Sequence, residues 1–324
     1  MEPTLNELRN SAHVLSLPLA VKFRGIWSRE IMLFKGPQGW TEFSPFVEYN
    51  DDEAVHWLKA AIEFGWSAAA PLVRDSVMVN ATIPAVDAEH VPAVLAHFDG
   101  CRTAKVKVCE SGQTLAEDIA RVKAVRAGMG PEGRIRLDAN GGWNVDEAEH
   151  AFHALAEFDL EYVEQPCSTL DELAELRERT HYMDIPIAAD ESIRKAQDPL
   201  AVAQAVAADI LVLKAQPLGG ISSVLEIAEQ VSLPVVLSSA LESSVGISMG
   251  LHAAAALPQL EYDCGLGTAS LLAADVTKKP LLAQAGSISV QRVDVDEEML
   301  SSLAAPPDTT AWWQERLQRC YALL

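Results

Sequence analysis

Three acids in this chain, Asp138, Glu164 and Asp190, follow one another at equal intervals of 26 residues, each at the polar end of a short β-forming run. The runs end Arg136-Leu137-Asp138-Ala139-Asn140, Glu164-Gln165-Pro166 and Asp190-Glu191-Ser192. The interval is that of one strand-plus-helix unit, so the acids should stand side by side at one height. Like charges held that close resist ionisation unless a cation neutralises them. No histidine or cysteine joins the set, so an oxygen-only donor group points to Mg²⁺, or Mn²⁺, rather than Zn²⁺. Singly, each acid has an ordinary use: Asp138 as a helix cap, Glu164 in a salt bridge, Asp190 capping or pairing near Ser192. Their shared register favours the joint reading.

Lysines complete the set. Lys105 and Lys107 lie two apart and project to the same side of a strand. Two ammonium groups facing inward lower each other's pKa, which is how a lysine becomes a usable base near neutral pH. Lys214 ends a later strand, at Leu213-Lys214, and would reach the same mouth from the opposite side. Solvated lysines on an exposed edge would not explain their apolar surroundings, Val106, Val108, Leu211, Val212 and Leu213.

The elements that must position these groups recur along the chain. Strand-like runs at 79–86, 103–108, 134–140, 161–165, 185–191, 209–215, 234–239 and 261–267 alternate with amphipathic helical patterns, such as Ile119, Val122 and Ala127 on one face. Alternation of this kind implies right-handed βαβ units and a parallel sheet, and eight strands close most naturally into a barrel. A doubly wound open sheet is the alternative, but no glycine-rich dinucleotide fingerprint follows the first strand. The fold class expected is α/β: a modified TIM barrel of the (β/α)7β kind with an N-terminal α+β capping domain. The expected boundaries are 1–78 for the cap, 79–268 for the barrel, and 269–324 for a segment that packs back on the cap.

Composition narrows the partners. The 324 residues carry a net charge of −21, which repels phosphate backbones and argues against nucleic acid. No run is long and apolar enough to span a bilayer, and the first residues do not resemble a signal peptide, so a cytoplasmic protein is expected. Five scattered cysteines without C-x-x-C spacing read as free thiols in a reducing compartment. No coiled coil or apolar stripe specifies an oligomeric state.

These motifs (Lys105-Val106-Lys107, Leu137-Asp138-Ala139-Asn140, Glu164-Gln165-Pro166, Ala189-Asp190-Glu191-Ser192 and Leu213-Lys214) make the chain resemble the enolase superfamily, in its muconate-lactonising branch. Phe23-Arg24-Gly25, Glu42-Phe43-Ser44-Pro45-Phe46 and the run from Ser238 to Ser244 place the resemblance with members that dehydrate 2-succinyl-6-hydroxy-2,4-cyclohexadiene-1-carboxylate in menaquinone biosynthesis. The resemblance implies a hydro-lyase acting on a small carboxylate. Lys107 would take the proton next to the ring carboxylate, and Mg²⁺ on Asp138, Glu164 and Asp190 would stabilise the enediolate. Lys107 would then protonate the departing hydroxyl, while Lys214 adds positive charge on the other face. Lys105 and Arg136 are expected to contact the substrate's anionic groups, and Ser238, Ser239 and Gly265 to line the succinyl pocket. Arg24, Phe46 and Tyr49 of the first domain would close the site and exclude water.

Two rivals remain. N-acylamino acid racemases and dipeptide epimerases of the same branch use opposed lysines to remove and return a proton. The epimerases' D-x-D at the eighth strand is here Asp263-Cys264-Gly265, which counts against that reading. A non-catalytic ligand-binding barrel would have no need of the full set of acids and lysines.

Overall fold

The computed structural model describes residues 2–194 and 198–324. A short helix, α1 (Leu5–Ser11), is followed by an antiparallel sheet of β1 (His13–Phe23), β2 (Ile26–Gly36) and β3 (Gly39–Phe43). Helix α2 (Asp51–Trp66) packs across that sheet and buries Ala54, Trp57, Leu58 and Ala61. Asn50 caps it, and Asp51, Asp52 and Glu53 sit at its positive end. These elements form the α+β cap.

The chain then crosses to a parallel sheet. Strand β4 (Ser76–Met78) stays outside it. Seven strands follow in unbroken order: β5 (Ala81–Ile83), β6 (Thr103–Lys107), β7 (Arg134–Asp138), β8 (Leu160–Glu164), β9 (Ile187–Ala189), β10 (Ile210–Leu213) and β11 (Val235–Leu237). Between them run α3 (Val91–Leu95), α4 (Leu115–Met129), α5 (Val145–Leu155), α6 (Leu170–Thr180), α7 (Glu191–Arg194), α8 (Ala201–Gln204), α9 (Ala215–Leu218) and α10 (Ile221–Gln230), and α11 (Ser244–Ala256) comes after β11. Capping boxes open α4, α5 and α6, pairing Thr114 with Glu117, Asn144 with Glu147 and Thr169 with Glu172. Each box starts its helix close behind a strand end, so the positive helix ends gather on the side where the chemistry is expected.

The expected eighth strand is reduced to two parallel bridges, Ser238 with Gly265 and Val79 with Cys264. They join β11 to the start of the sheet and bring its two edges together. The approach is so close that a Cβ at position 265 would lie 2.4 Å from Ser238 Oγ, which explains a glycine there. The first expected strand, 79–86, is shortened: only Ala81–Ile83 forms a strand of the barrel, while the preceding Ser76–Met78 pairs antiparallel with β12 (Ser287–Ser289). Inside the barrel, Tyr162, Ala188, Ile210, Val212 and Val236 form a small cluster of their own beneath the mouth.

After β12 come α12 (Glu297–Ser302) and α13 (Pro307–Tyr321). The buried Arg316 of α13 donates to the carbonyls of Phe46 and Tyr49 at 3.1 and 2.6 Å, and so fixes the stretch of cap that faces the barrel. Among the described residues no helix is long and apolar enough to cross a membrane.

Candidate active site

Strand register brings the expected groups together. Lys107, Asp138 and Glu164 are direct neighbours across β6, β7 and β8, while Asp190 and Lys214 follow immediately after β9 and β10. Lys107 Nζ lies 2.5 Å from Asp138 Oδ2, and Lys214 Nζ 2.5 Å from Asp190 Oδ2. Lys105 Nζ donates to both Glu164 oxygens at 3.0 Å and sits 3.4 Å from Asp138. All three lysines are at least nine-tenths buried. Charges withdrawn from water to that degree are tolerable only as partners of one another.

The electrostatics follow from that packing. Burial alone would raise Asp138, but the ammonium groups of Lys107 and Lys105 outweigh it and hold the carboxyl below its ordinary value. Burial likewise opposes ionisation of Asp190, and Lys214 and Arg194 overcome it. Glu164 is pushed up to about 7 by burial and then by the neighbouring Asp138. For Lys105 the mutual lowering expected of paired lysines is not what prevails: burial lowers it, but Glu164 and Asp138 together raise it above its ordinary value.

The donor set fits a hard cation. It offers carboxylate oxygens only; Oε2 of Glu191 is buried with no hydrogen-bond partner, and Oδ1 of Asp190 has only the ion pair with Arg194 Nε at 3.3 Å. Buried lone pairs left in that condition call for an explanation, and a metal ion supplies one. Among the described residues only Asp87, Glu89 and His90 bring ligand-type atoms within 4.8 Å of one another, and all three are exposed on the surface; the oxygens of Asp138, Glu164 and Asp190 stand further apart, each held by a lysine. Exposed acids gather in this way without any ion.

A cleft opens over these groups, with about 540 Å³ of space between its walls when the open mouth is counted. Lys105, Lys107, Asp138, Lys214, Ser238, Ser239 and Gly265 line it from the barrel, and Arg24, Phe46 and Tyr49 from the cap. Glu164 and Asp190 stand directly behind the lysines they bind. Arg24 lies over the Phe46 ring at 4.2 Å and donates to Tyr49 Oη at 3.2 Å. Arg194 donates to the same hydroxyl from the barrel side, also at 3.2 Å, which ties cap to barrel across the mouth.

The expectation that Arg136 contacts substrate is not met. Its side chain points into the barrel as its spacing from Asp138 requires, but it is fully buried and does not line the cavity. It pairs with Glu161, donates to the carbonyl of Asp263 at 2.6 Å and covers the Tyr162 ring at 4.8 Å. Period-two spacing gave the face correctly and the depth wrongly. Conversely, Thr82, Asn140, Glu191 and Arg194 line the cavity and were not singled out in the sequence. Asn140 carried a usable signal, two residues beyond Asp138, whereas the pairing of Thr82 with Lys105 is visible only in the folded sheet.

Comparison with known proteins places this architecture. Residues 89–294 match the enolase C-terminal domain-like family and residues 14–65 the enolase N-terminal domain-like family, so the chain belongs to the enolase superfamily. Within it, the chain is 53% identical to the o-succinylbenzoate synthase of Mycobacterium marinum, over 99% of this chain and 96% of that protein. It is 54% identical to the o-succinylbenzoate synthase of Mycobacterium tuberculosis, over 99% and 97%. The fold is also that of the muconate lactonizing enzyme of Pseudomonas putida, with a TM-score of 0.74 at 22% identity over 91% of this chain and 98% of that one. An N-succinyl Arg/Lys racemase from Bacillus cereus shares it with a TM-score of 0.75 at 20% identity, over 91% and 97%.

Proposed function

We propose that the chain carries o-succinylbenzoate synthase activity, a carbon–oxygen lyase reaction that removes water from 2-succinyl-6-hydroxy-2,4-cyclohexadiene-1-carboxylate on the way to menaquinone. What supports this most is the identity above one half to proteins of that name over nearly the whole chain. Mg²⁺ held by Asp138, Glu164 and Asp190 would supply the positive charge that the substrate carboxylate needs as its neighbouring carbon loses a proton.

The chain's own residues do the rest. Lys107 accepts the proton from the carbon bearing the ring carboxylate, and that C–H electron pair moves towards the carboxylate. As the ring C–O bond breaks, the pair returns to form the new ring double bond. The departing hydroxyl takes the proton back from Lys107 and leaves as water. Lys214, on the opposite wall, contributes fixed positive charge while the enediolate exists. Lys105 balances Glu164 and Asp138. Arg24, Phe46 and Tyr49 cover the mouth, where exclusion of water strengthens each of these interactions. In the same reading the chain divides into a cap at 1–78, a barrel at 79–268 and a returning segment at 269–324. It works in a reducing, cytoplasmic setting that suits its five free cysteines.

A second reading, an N-acylamino acid racemase, is favoured by the two lysines on opposing walls. The epimerase version has less support, because Asp263 is spent on Thr103 and Arg134, at 2.7 and 2.6 Å, outside the cavity. The test is incubation of purified protein with the cyclohexadiene and Mg²⁺, with aromatic product followed by absorbance. No product, together with deuterium exchange into N-succinyl amino acids, would replace the lyase by the racemase.

A further inference from the structure

Among the described residues that line the cavity away from the acids, Trp57 of the cap and Thr82 of β5 carry buried polar atoms without a hydrogen-bond partner, and Thr82 is the one on the barrel wall. The residue is 2% exposed, lines the cavity, and has a buried hydroxyl with no partner. Its direction is fixed independently by register. Thr82 pairs with Lys105 in the parallel sheet, and paired residues on neighbouring strands share a face. Nearby hydroxyls are satisfied: Ser239 Oγ meets Thr268 Oγ1 at 2.7 Å, and Ser238 Oγ lies 3.5 Å from Lys105 Nζ.

An unpaired buried hydroxyl makes the free protein less stable than a methyl in its place would. Valine fills nearly the same volume and is at least as well suited to a strand. Packing therefore gives no reason for the oxygen, whereas a ligand with an acceptor atom does. The position narrows the ligand group. The acids and the ammonium groups they hold occupy the arc from β6 to the end of β10. Thr82 lies beyond that arc, between Lys105 and the closing segment at Cys264 and Gly265. A substrate whose ring carboxylate is held at the acids must turn its remaining substituent towards the closing side.

We infer that Thr82 is a substrate-binding residue whose hydroxyl donates a hydrogen bond to an oxygen of the substrate's four-carbon oxo-acid chain. This rests on the functional reading above. The chain's ketone and carboxylate oxygens are acceptors only, so the threonine must be the donor.

Thr82→Val removes the oxygen and keeps the shape, and Thr82→Ser keeps the oxygen. The two variants are compared with wild type in thermal midpoint without substrate, in kcat and KM, and in calorimetric affinity for o-succinylbenzoate with Mg²⁺ present. Thr82→Val is expected to melt no lower than wild type while losing roughly ten-fold in kcat/KM and in product affinity, with Thr82→Ser recovering most of both. Wild-type kcat/KM and affinity in Thr82→Val would overturn the inference. So would a lowered midpoint together with losses that Thr82→Ser fails to restore, since the oxygen would then have a structural role. A wild-type protein that forms no aromatic product would instead overturn the functional reading, and this inference with it.

Discussion

Asn140 Oδ1 accepts a hydrogen bond from Lys107 Nζ at 2.6 Å, beside that ammonium's ion pair with Asp138. Asn140 has φ near +48°, a conformation asparagine tolerates better than most residues. Its Nδ2 donates in turn to Glu191 Oε1 at 3.1 Å, so the amide is itself held. Asn140 thus reads as the group that aims the proposed base. Asn140→Ala should lower kcat by about a hundred-fold with little change in KM, because a misplaced base costs the chemical step more than binding. Steady-state kinetics check this, and an unchanged kcat would leave the contact without a catalytic consequence.

The two opposed lysines should fail differently. Lys107→Ala removes the proton acceptor and should cost on the order of 10³-fold in dehydration. Lys214→Ala removes only fixed charge and should cost about 10²-fold. For exchange at N-succinyl amino acids both lysines are needed, so Lys214→Arg should abolish racemisation. Racemisation that survives in Lys214→Arg would defeat a two-base scheme for that side reaction.

Metal binding is testable without turnover. An ion bound only by the folded state at a hundred times its Kd stabilises by about 2.7 kcal/mol. The thermal midpoint should therefore rise with MgCl₂, return on chelation, and stay unmoved by NaCl at matched ionic strength. Asp190→Asn should suppress the rise. Equal shifts in wild type and Asp190→Asn would place the ion elsewhere.

Much of this site was legible because the barrel repeats. Equal spacing of Asp138, Glu164 and Asp190 converts directly into neighbouring strand ends, and period two sets Lys105 and Lys107 on one face. What spacing does not encode is depth. Arg136 shares the inward face, but Glu161 neutralises it while Asn80 and the Asp263 carbonyl accept from it, all from other parts of the chain that meet only after closure. Thr82 was hidden for the opposite reason: a threonine in a β-rich run is what strand propensity already favours, so it stands out only once its hydroxyl is seen to lack a partner. The eighth strand was overread because Gly265 and Gly267 permit close approach without sustaining a ladder.

The motif segments 42–46 and 238–244, distant in sequence, meet at Glu42, and that meeting has a pH signature. The buried Glu42 carboxylate accepts from Ser243 N at 3.1 Å, Ser243 Oγ at 2.5 Å, Gly246 N at 3.2 Å and Ser44 Oγ at 2.6 Å. It thereby holds the start of α11, next to the cavity wall at Ala240 and Leu241, against the cap. Burial, and then the nearby Glu242, push its pKa from 4.5 up to about 7, with Ser243, Ser44 and Arg29 opposing. A carboxyl raised in this way binds its proton more tightly folded than unfolded. Its contribution to stability is full below pH 4.5 and is lost as pH rises through about 7. Glu42→Gln keeps an acceptor for Ser243 and Gly246 and removes the titration. Its thermal midpoint should vary less than that of wild type between those two pH values, and by pH 8 it should match or exceed wild type. The swing removed is on the order of 3 kcal/mol at most. Melting both proteins across that range decides the matter: parallel profiles would mean that Glu42 does not take up its proton there, and that Arg29 and the serines hold it ionised.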